Sequence, residues 1–583
     1  MDFGDDISSN STVRNWEKLN KSVEKGYILA KRANKRMSIR KIFPKEYVSV
    51  PVNLYIFETV LKSIIEKDDI NCIIFSFCVN YLKHFNMVKI VGNTVIPNDE
   101  KTSRFLEEYK IVIDFDLVEM ELPYSEKDPI GMIYQCLMTE GEKNIQGSYF
   151  TPETIVKDFT SIEHKDVTIL DPCCGTAGIL IAIENVKPEN LYGIEKDELT
   201  AMIAKCNMII RFRDCDFYPK IVCSDFISKK HTFHEKFDYI ITNPPWGAKL
   251  KKSDLAKQRV IKSEESFSIC IVNAFGLLKK GGTMRFVLPE AILNIRRHSD
   301  IRKFILDNLF VEKIKFYGKC FSGVFSDVIG IYLKKETAQN KNVIIDKNGE
   351  SHLLNQNVFE KFSDFLFICC TQKDIDLLES IYSVPYKTLK GSVWGLGIVT
   401  GDNQKKLSEV KKKSYESIFT GKEVEKYFMK EPKYFILFDK ETFQQSAPES
   451  VYRSEKKLIY RFIANKLVFA IDTSGTLVLN SANVLIPKII NMNIYSIMAF
   501  LNSEIFEYIN KVWFNQIKVL KSNLLKLPFP LISDDINEEL SNLISQVYYD
   551  KTAHDRIQQI IYKTFRLDNA SVQHIKKTIA DKS

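Results

Sequence analysis

With 583 residues the chain is too long for one hydrophobic core, and its length alone suggests about three or four domains. A composition of 45% hydrophobic and 27% charged residues excludes a largely disordered or collagen-like protein, and a net charge of +8 says little until it is located. The twelve cysteines have no regular spacing and no Cys-x-x-Cys pair, and those such as Cys72, Cys206 and Cys270 stand among apolar neighbours, so buried reduced thiols are expected and no metal site.

The chain opens Met1-Asp2-Phe3-Gly4-Asp5-Asp6, too acidic for a secretory signal, and no run of eighteen apolar residues follows. A cytoplasmic protein with no membrane association is therefore expected. Lys31, Arg32, Lys35, Arg36, Arg40 and Lys41 form a basic stretch that reads either as a solvated helix face or as a nucleic-acid contact. Apolar periodicity predicts helices over Leu54–Glu66 and Ile70–Phe85. A hairpin over 88–96 turns at Gly92-Asn93. Helices followed by a hairpin suggest a helical, winged-helix-like region over 1–100. Residues 101–145 read as helical again.

From Gly147 to Lys335 short β-branched or aromatic runs alternate with helical ones. The predicted strands are 167–170, 191–194, 220–223, 237–242, 283–288, 311–317 and 328–333, with a helix over Ile179–Glu184. This alternation argues for an α/β fold with a doubly wound sheet, closed by the last two runs as an antiparallel pair. Residues 336–383 read as a connection, 384–530 as an aromatic- and lysine-rich α+β domain, and 531–583 as a helical tail. Between Tyr386 and Pro530 there are 22 Lys and Arg against 13 Asp and Glu, so this quarter of the chain carries the whole positive excess. Such asymmetry points to a polyanion contact there.

Three acids stand at predicted strand ends. Asp171 opens the loop Asp171-Pro172-Cys173-Cys174-Gly175-Thr176-Ala177-Gly178, where glycine lets the backbone approach a ligand. No phosphate-binding lysine accompanies it, and an acid here suits a ligand with a positive amino group. Glu195 can accept hydrogen bonds from two ribose hydroxyls, and Asp225 can bind an adenine amino group with Phe226 against the ring. Asn243-Pro244-Pro245-Trp246 follows an apolar strand. Two prolines fix the backbone and leave carbonyls free, so the Asn243 amide oxygen and the Pro244 carbonyl can accept both hydrogens of a planar amine. Trp246 offers a stacking face.

Gly147-Ser148-Tyr149-Phe150-Thr151-Pro152, the Asp171 loop, Glu195, Asp225 and Asn243–Trp246, in that order, resemble the gamma class of DNA methyltransferases acting on adenine N6, which includes type I modification subunits and TaqI-like enzymes. The resemblance implies a Rossmann-like methyltransferase domain over 101–335 and S-adenosyl-L-methionine as cofactor. Tyr149, Thr151 and Pro152 would wrap its methionine end, Asp171 and Gly175 would hold that end, Glu195 the ribose, and Asp225 with Phe226 the adenine. Asn243 would border both cofactor and target. Phe321 matches the family's second stacking aromatic, with Phe325 the alternative. The family usually has glycine in place of Ala177, and Tyr or Phe in place of Trp246.

Gly397–Asn403, Thr420–Val424, Lys457–Ala470, Leu479–Asn483, Leu501–Ser503 and Lys526–Pro530 resemble a TaqI-like target-recognition domain. The implied function is sequence-specific methylation of a flipped-out adenine in double-stranded DNA, within a restriction-modification or epigenetic system. The target amine's lone pair is delocalised into the purine, so positioning and hydrogen bonds from both its hydrogens would carry the catalysis. A restriction subunit and a second copy of the chain stay open as partners. Competing readings are a bifunctional restriction-modification enzyme, a non-catalytic DNA-specificity subunit, and a protein or RNA methyltransferase with the same Asn-Pro-Pro signature, for which no large basic recognition domain is expected. No Pro-Asp…(Asp/Glu)-x-Lys constellation stands near the N-terminus, and intact Asn243–Trp246 argues against the second.

Overall fold

The structure, a computed structural model, describes residues 48–64, 67–138, 149–228, 236–248, 261–321, 326–336, 341–361, 363–514 and 518–580, with Phe43, Lys45 and Phe233. The basic stretch at 31–41, Gly147, Ser148 and Phe325 lie outside them. The described residues form two compact units that meet in sequence between Ile368 and Cys369.

In the first unit, α1 (Asn53–Ile64) and α2 (Ile70–His84) precede the antiparallel hairpin β1 (Val88–Val91) and β2 (Thr94–Pro97), as the sequence suggests. Helices α3 (Glu100–Tyr109), α4 (Pro129–Leu137) and α5 (Glu153–Thr160) follow. The remaining strands are β3 (Ile169–Asp171), β4 (Leu191–Glu195), β5 (Lys220–Cys223), β6 (Phe237–Thr242), β7 (Leu278–Pro289), β8 (Phe310–Gly318), β9 (Val328–Lys334), β10 (Asn342–Lys347) and β11 (Glu350–Asn355). They form one nine-stranded sheet in the order β11-β10-β8-β9-β7-β6-β3-β4-β5. The run from β7 to β5 is parallel, and β9 is antiparallel to both β7 and β8. The chain moves outward from β3 through β4 to β5, then returns to place β6 on the other side of β3. The connections leaving the carboxyl ends of β3 and β6 therefore run in opposite directions along the sheet, the switch point at which open α/β sheets hold ligands.

Three expectations are corrected. Residues 342–355 are not a connection: they form a hairpin that extends the sheet, with β10 parallel to β8. The helix expected over Ile179–Glu184 is only a 3₁₀ turn, Leu180–Ala182. Its alternating isoleucines lose rotamer freedom in a helix, and Pro188 lies just beyond.

The winged-helix-like region is not an independent domain. Phe57, Phe77, Leu82 and Phe105 share one core with Met202, Ile203, Cys206 and Ile209 of helix α6 (Glu198–Arg211). This explains why α6 is apolar nearly all round: one face packs on the sheet and the other under the N-terminal helices. Lys101 of α3 also donates to the carbonyls of Arg213 and Cys215, both at 2.6 Å, satisfying acceptors just beyond the α6 C-terminus.

The second unit contains two four-stranded sheets. One runs Val393–Leu396, Ala482–Ile486, Lys457–Arg461, Phe469–Asp472; the other Leu407–Ser408, Tyr434–Ile436, Glu416–Phe419, Leu477–Val478. Ile398, Ile418, Ile436, Tyr452, Ile459 and Val484 fill a core between them. The helical tail is present as Asp534–Gln546, Lys551–Thr564 and Asn569–Ala580. Its His574 lies 2.7 Å from Asp374, which also accepts from the Tyr508 hydroxyl at 2.8 Å. All twelve cysteines are free thiols, and Cys223 is exposed. Among the described residues no helix is long and apolar enough to cross a membrane.

Candidate active site

The carboxyl ends of β3 and β6 open onto a cavity of about 460 Å³. Asp171 ends β3 and Asn243 directly follows β6, so the parallel pairing of the two strands places residues 72 positions apart on one cavity wall. Tyr149, Thr151, Pro152 and Gly175 line the same cavity, along with Cys173, Cys174, Thr200 and Cys320.

Asp171 is 1% exposed, and burial pushes its carboxyl up to about 7, with the nearby Glu195 carboxylate adding to the effect. Its Oδ1 accepts the Cys173 N–H at 3.1 Å. Gly175 takes a left-handed φ of +53°, and a side chain there would point into open space, so the bare backbone faces a void. Ala177 also takes a left-handed φ, +69°, where glycine is usual. The turn is thus retained with alanine, at a cost of about 1–2 kcal/mol.

Glu195 does not line the cavity but is joined to it. Its Oε2 accepts the Gly175 N–H at 2.9 Å, and its Oε1 accepts the N–H groups of Lys196 at 2.7 Å and Asp197 at 2.9 Å. Burial pushes its carboxyl above the usual range while these donors oppose the shift. A carboxylate has about four lone-pair sites, so one remains beyond the three donors. Asp225, further out, accepts the Ile227 N–H at 3.1 Å and pairs with Lys196 at 3.0 Å. Phe226 is only 2% exposed, which corrects the expectation that its ring presents a free face.

The Asn243 side chain donates from Nδ2 to the Thr151 hydroxyl at 3.2 Å. That bond fixes the amide orientation, and among the described residues nothing donates to Oδ1. Pro244 is buried, and the Pro245 carbonyl accepts from the Ser266 hydroxyl, tying the turn to the next helix. The Trp246 indole donates to the Val287 carbonyl on β7 at 3.1 Å. Phe321 lies beside it, ring centroids 5.2 Å apart and inclined at 72°, with Tyr149 edge-on to Phe321 at 6.4 Å. The two rings expected to sandwich a base therefore touch edge to face, with no slot between them. Stacking on both needs a ring rotation.

The sequence reading missed Asp128, which is 5% exposed. It accepts from the Thr176 hydroxyl, from Asn207 Nδ2 at 2.8 Å and from the Gly131 N–H at 2.9 Å, and burial pushes its carboxyl upward. Asn207 also donates to the Thr176 carbonyl at 3.0 Å. This cluster clamps the Gly175 loop between α4 and α6. The signal was Asp128-Pro129, an N-cap followed by proline at the first helical position. Glu126 completes the rim, accepting the N–H groups of Ser49 and Val50 at 3.2 and 2.9 Å.

A buried acid, an approachable backbone at Gly175 and a carboxylate at the next strand end fit a nucleoside bearing a cationic amino-acid end. Comparison with known proteins agrees. Residues 125–366 match the N-6 DNA methylase family and residues 416–529 the TaqI-like C-terminal specificity domain. The chain is 34% identical over 314 residues to the type II methyltransferase M.VspI of Vibrio sp. (strain 343), spanning 52% of this chain and 76% of that protein. It is 29% identical over 224 residues to the type II methyltransferase M.HincII of Haemophilus influenzae, covering 36% of this chain and 41% of that one. The type IIL restriction-modification enzyme MmeI, solved in complex with DNA, shares the fold at 13% identity, with a TM-score of 0.59 over 98% of this chain and 99% of that one.

Proposed function

The chain belongs to the N-6 DNA methylase family of S-adenosylmethionine-dependent DNA methyltransferases, and from that premise we propose that it methylates adenine N6 at a specific sequence of double-stranded DNA, in a base turned out of the helix, as part of a restriction-modification system. One observation carries the reading: Asp171 and Asn243 come together in one cavity at the carboxyl ends of the paired strands β3 and β6, with the Asn243 amide oriented by Thr151.

S-adenosylmethionine supplies an electrophilic methyl group when bound. The residues that fit it are Asp171 for its ammonium group, the backbone at Gly175 with Tyr149, Thr151 and Pro152 around its methionine end, Glu195, through its one remaining lone pair, for a single ribose hydroxyl where two were expected, and Asp225 for its adenine. Asn243 Oδ1 and the Pro244 carbonyl accept the two hydrogens of the target amine. Holding both favours a pyramidal nitrogen and stabilises the positive charge that develops on it in the transition state. Trp246 gives the extruded base a stacking face, offsetting part of the few kcal/mol that unstacking costs. Phe321 adds a second face once its ring turns away from Trp246. The positive excess of residues 386–530 supports DNA binding by the second unit.

The test is transfer of isotope-labelled methyl from S-adenosylmethionine to duplex DNA, followed by nucleoside digestion and mass spectrometry. N6-methyladenine is expected from the wild type. Asn243→Ala should lower kcat about 10²–10³-fold with cofactor affinity nearly unchanged, the pattern of a contact formed mainly in the transition state. Label on cytosine, or a fully active Asn243→Ala, rejects the assignment.

A further inference from the structure

The second unit carries an open groove of about 700 Å³ with an unusual lining. Asn403, Gln404, Lys422 and Arg461 line it, together with Ile463, which is 60% exposed. Among the described residues Gln404 and the Lys422 ammonium have no side-chain partner. Asn403 Oδ1 accepts from the Thr400 hydroxyl at 2.5 Å, which leaves its two N–H donors available. Arg461 is anchored rather than loose: Nε donates to the Val424 carbonyl at 2.9 Å and Nη2 lies 3.5 Å from Glu425. Among the described residues nothing accepts from its Nη1. The lining carboxylate Glu409 is taken by Lys433 at 3.0 Å.

The walls are fixed by backbone contact. The Gly421 N–H donates to the Ser481 hydroxyl at 2.9 Å, and a side chain at Gly421 would meet the Ser481 carbonyl at 2.7 Å. The Thr420 N–H and hydroxyl both bond Glu423, at 2.7 and 2.6 Å. Of the two proposed readers, Arg461 is held by its bond to Val424 and can discriminate because its position does not adapt to the wrong partner, whereas Gln404 is free to turn toward a base.

We propose that this groove reads base edges of the DNA target, with Gln404 and Arg461 as specificity-determining residues; the inference rests on the function proposed above. A carboxamide offers the donor and acceptor that match adenine in the major groove, and a guanidinium offers donors that match guanine. An exposed isoleucine suits the thymine methyl group. Carboxamides and guanidinium groups also contact phosphates, so the two readings are separated by what substitution does: loss of a base contact changes the preference at one position, loss of a phosphate contact weakens binding to every sequence alike.

The experiment methylates a pool of duplexes randomised around adenine with the full-length wild type, Gln404→Ala, Gln404→Glu and Arg461→Ala, and reads the modified sites by sequencing. Each alanine variant should relax the preference at one position by about tenfold or more, leaving the others intact, and Gln404→Glu should shift rather than merely relax its position. In the Gln404 variants the melting temperature should match the wild type, since the side chain is exposed and has no partner to lose among the described residues; Arg461→Ala also removes the bond to the Val424 carbonyl, so its motif is read at a temperature where the variant is folded. If all variants keep the wild-type motif, or lose DNA affinity uniformly with a shallower salt dependence, the groove contacts backbone at most and the inference falls. A wild type that methylates no adenine sinks this inference together with the reading beneath it; an unchanged motif sinks this one alone.

Discussion

Thr151 accepts the Asn243 amide hydrogen, and this contact decides which end of the amide is left for the target amine. Thr151→Val keeps the shape but removes the acceptor. We expect kcat to fall about three- to tenfold, the worth of one neutral hydrogen bond, and Thr151→Ser to restore it. Equal loss in the serine variant would mean that the methyl group, not the hydroxyl, matters. Asp171 leads to a pH dependence. Its carboxyl is held up to about 7 in the folded protein, well above its value in the unfolded chain, so the folded state binds the extra proton between about pH 4 and 7. Its contribution to stability therefore declines as pH rises through that window and is flat above it. A cationic ligand favours the carboxylate, so binding should release a proton near neutrality. Calorimetry should show S-adenosylmethionine affinity rising from pH 6 to 8, and Asp171→Asn should flatten the profile. A slope that survives in Asp171→Asn belongs to another group.

At the scale of elements, the Asp128 cluster joins α4, the Gly175 loop and α6. Asp128→Ala leaves a hydroxyl, an amide N–H and a backbone N–H buried without acceptors, and should cost about 2–4 kcal/mol in chemical denaturation. Loss below about 1 kcal/mol would mean water replaces the carboxylate. This cluster shows where sequence reading stops. The seven strands 167–333 were legible because β-branched runs between turn residues have few alternatives, and Asn243–Trp246 because two prolines restrict the backbone wherever they occur. Asp128 announced a helix start, but its partner Asn207 is 79 residues away and no local pattern links them. The hairpin at 342–355 was missed because its strands carry Asp346, Lys347, Glu350 and His352, and their pairing is fixed by β8 rather than by their own composition. Phe226 and Phe321 were assigned stacking faces from their place in the chain, whereas their burial and tilt depend on tertiary neighbours.

At the scale of the molecule, the sequence boundary between Ile368 and Cys369 is where the two tasks should separate. A fragment ending at Ile368 contains every proposed cofactor residue and should bind S-adenosylmethionine, shown by ligand-dependent thermal stabilisation. It should lose sequence-specific methylation, and its DNA affinity should fall less steeply with salt, by about 0.9 in slope for each phosphate contact removed. A folded fragment that still methylates a single sequence would remove recognition from the second unit. Within the first unit, the core shared by the N-terminal helices and α6 bears on how the protein is made. Phe77 and Phe105 lie on two helices that pack against α6, and they leave the ribosome well before Met202, Ile203 and Cys206 of the same core. Translation at 5–20 residues per second puts about 5–20 s between the end of α3 and the end of α6. Through that interval the N-terminal helices lack the α6 side of their core, so chain that stops between residues 110 and 211 carries exposed apolar surface, the condition under which aggregation competes with folding.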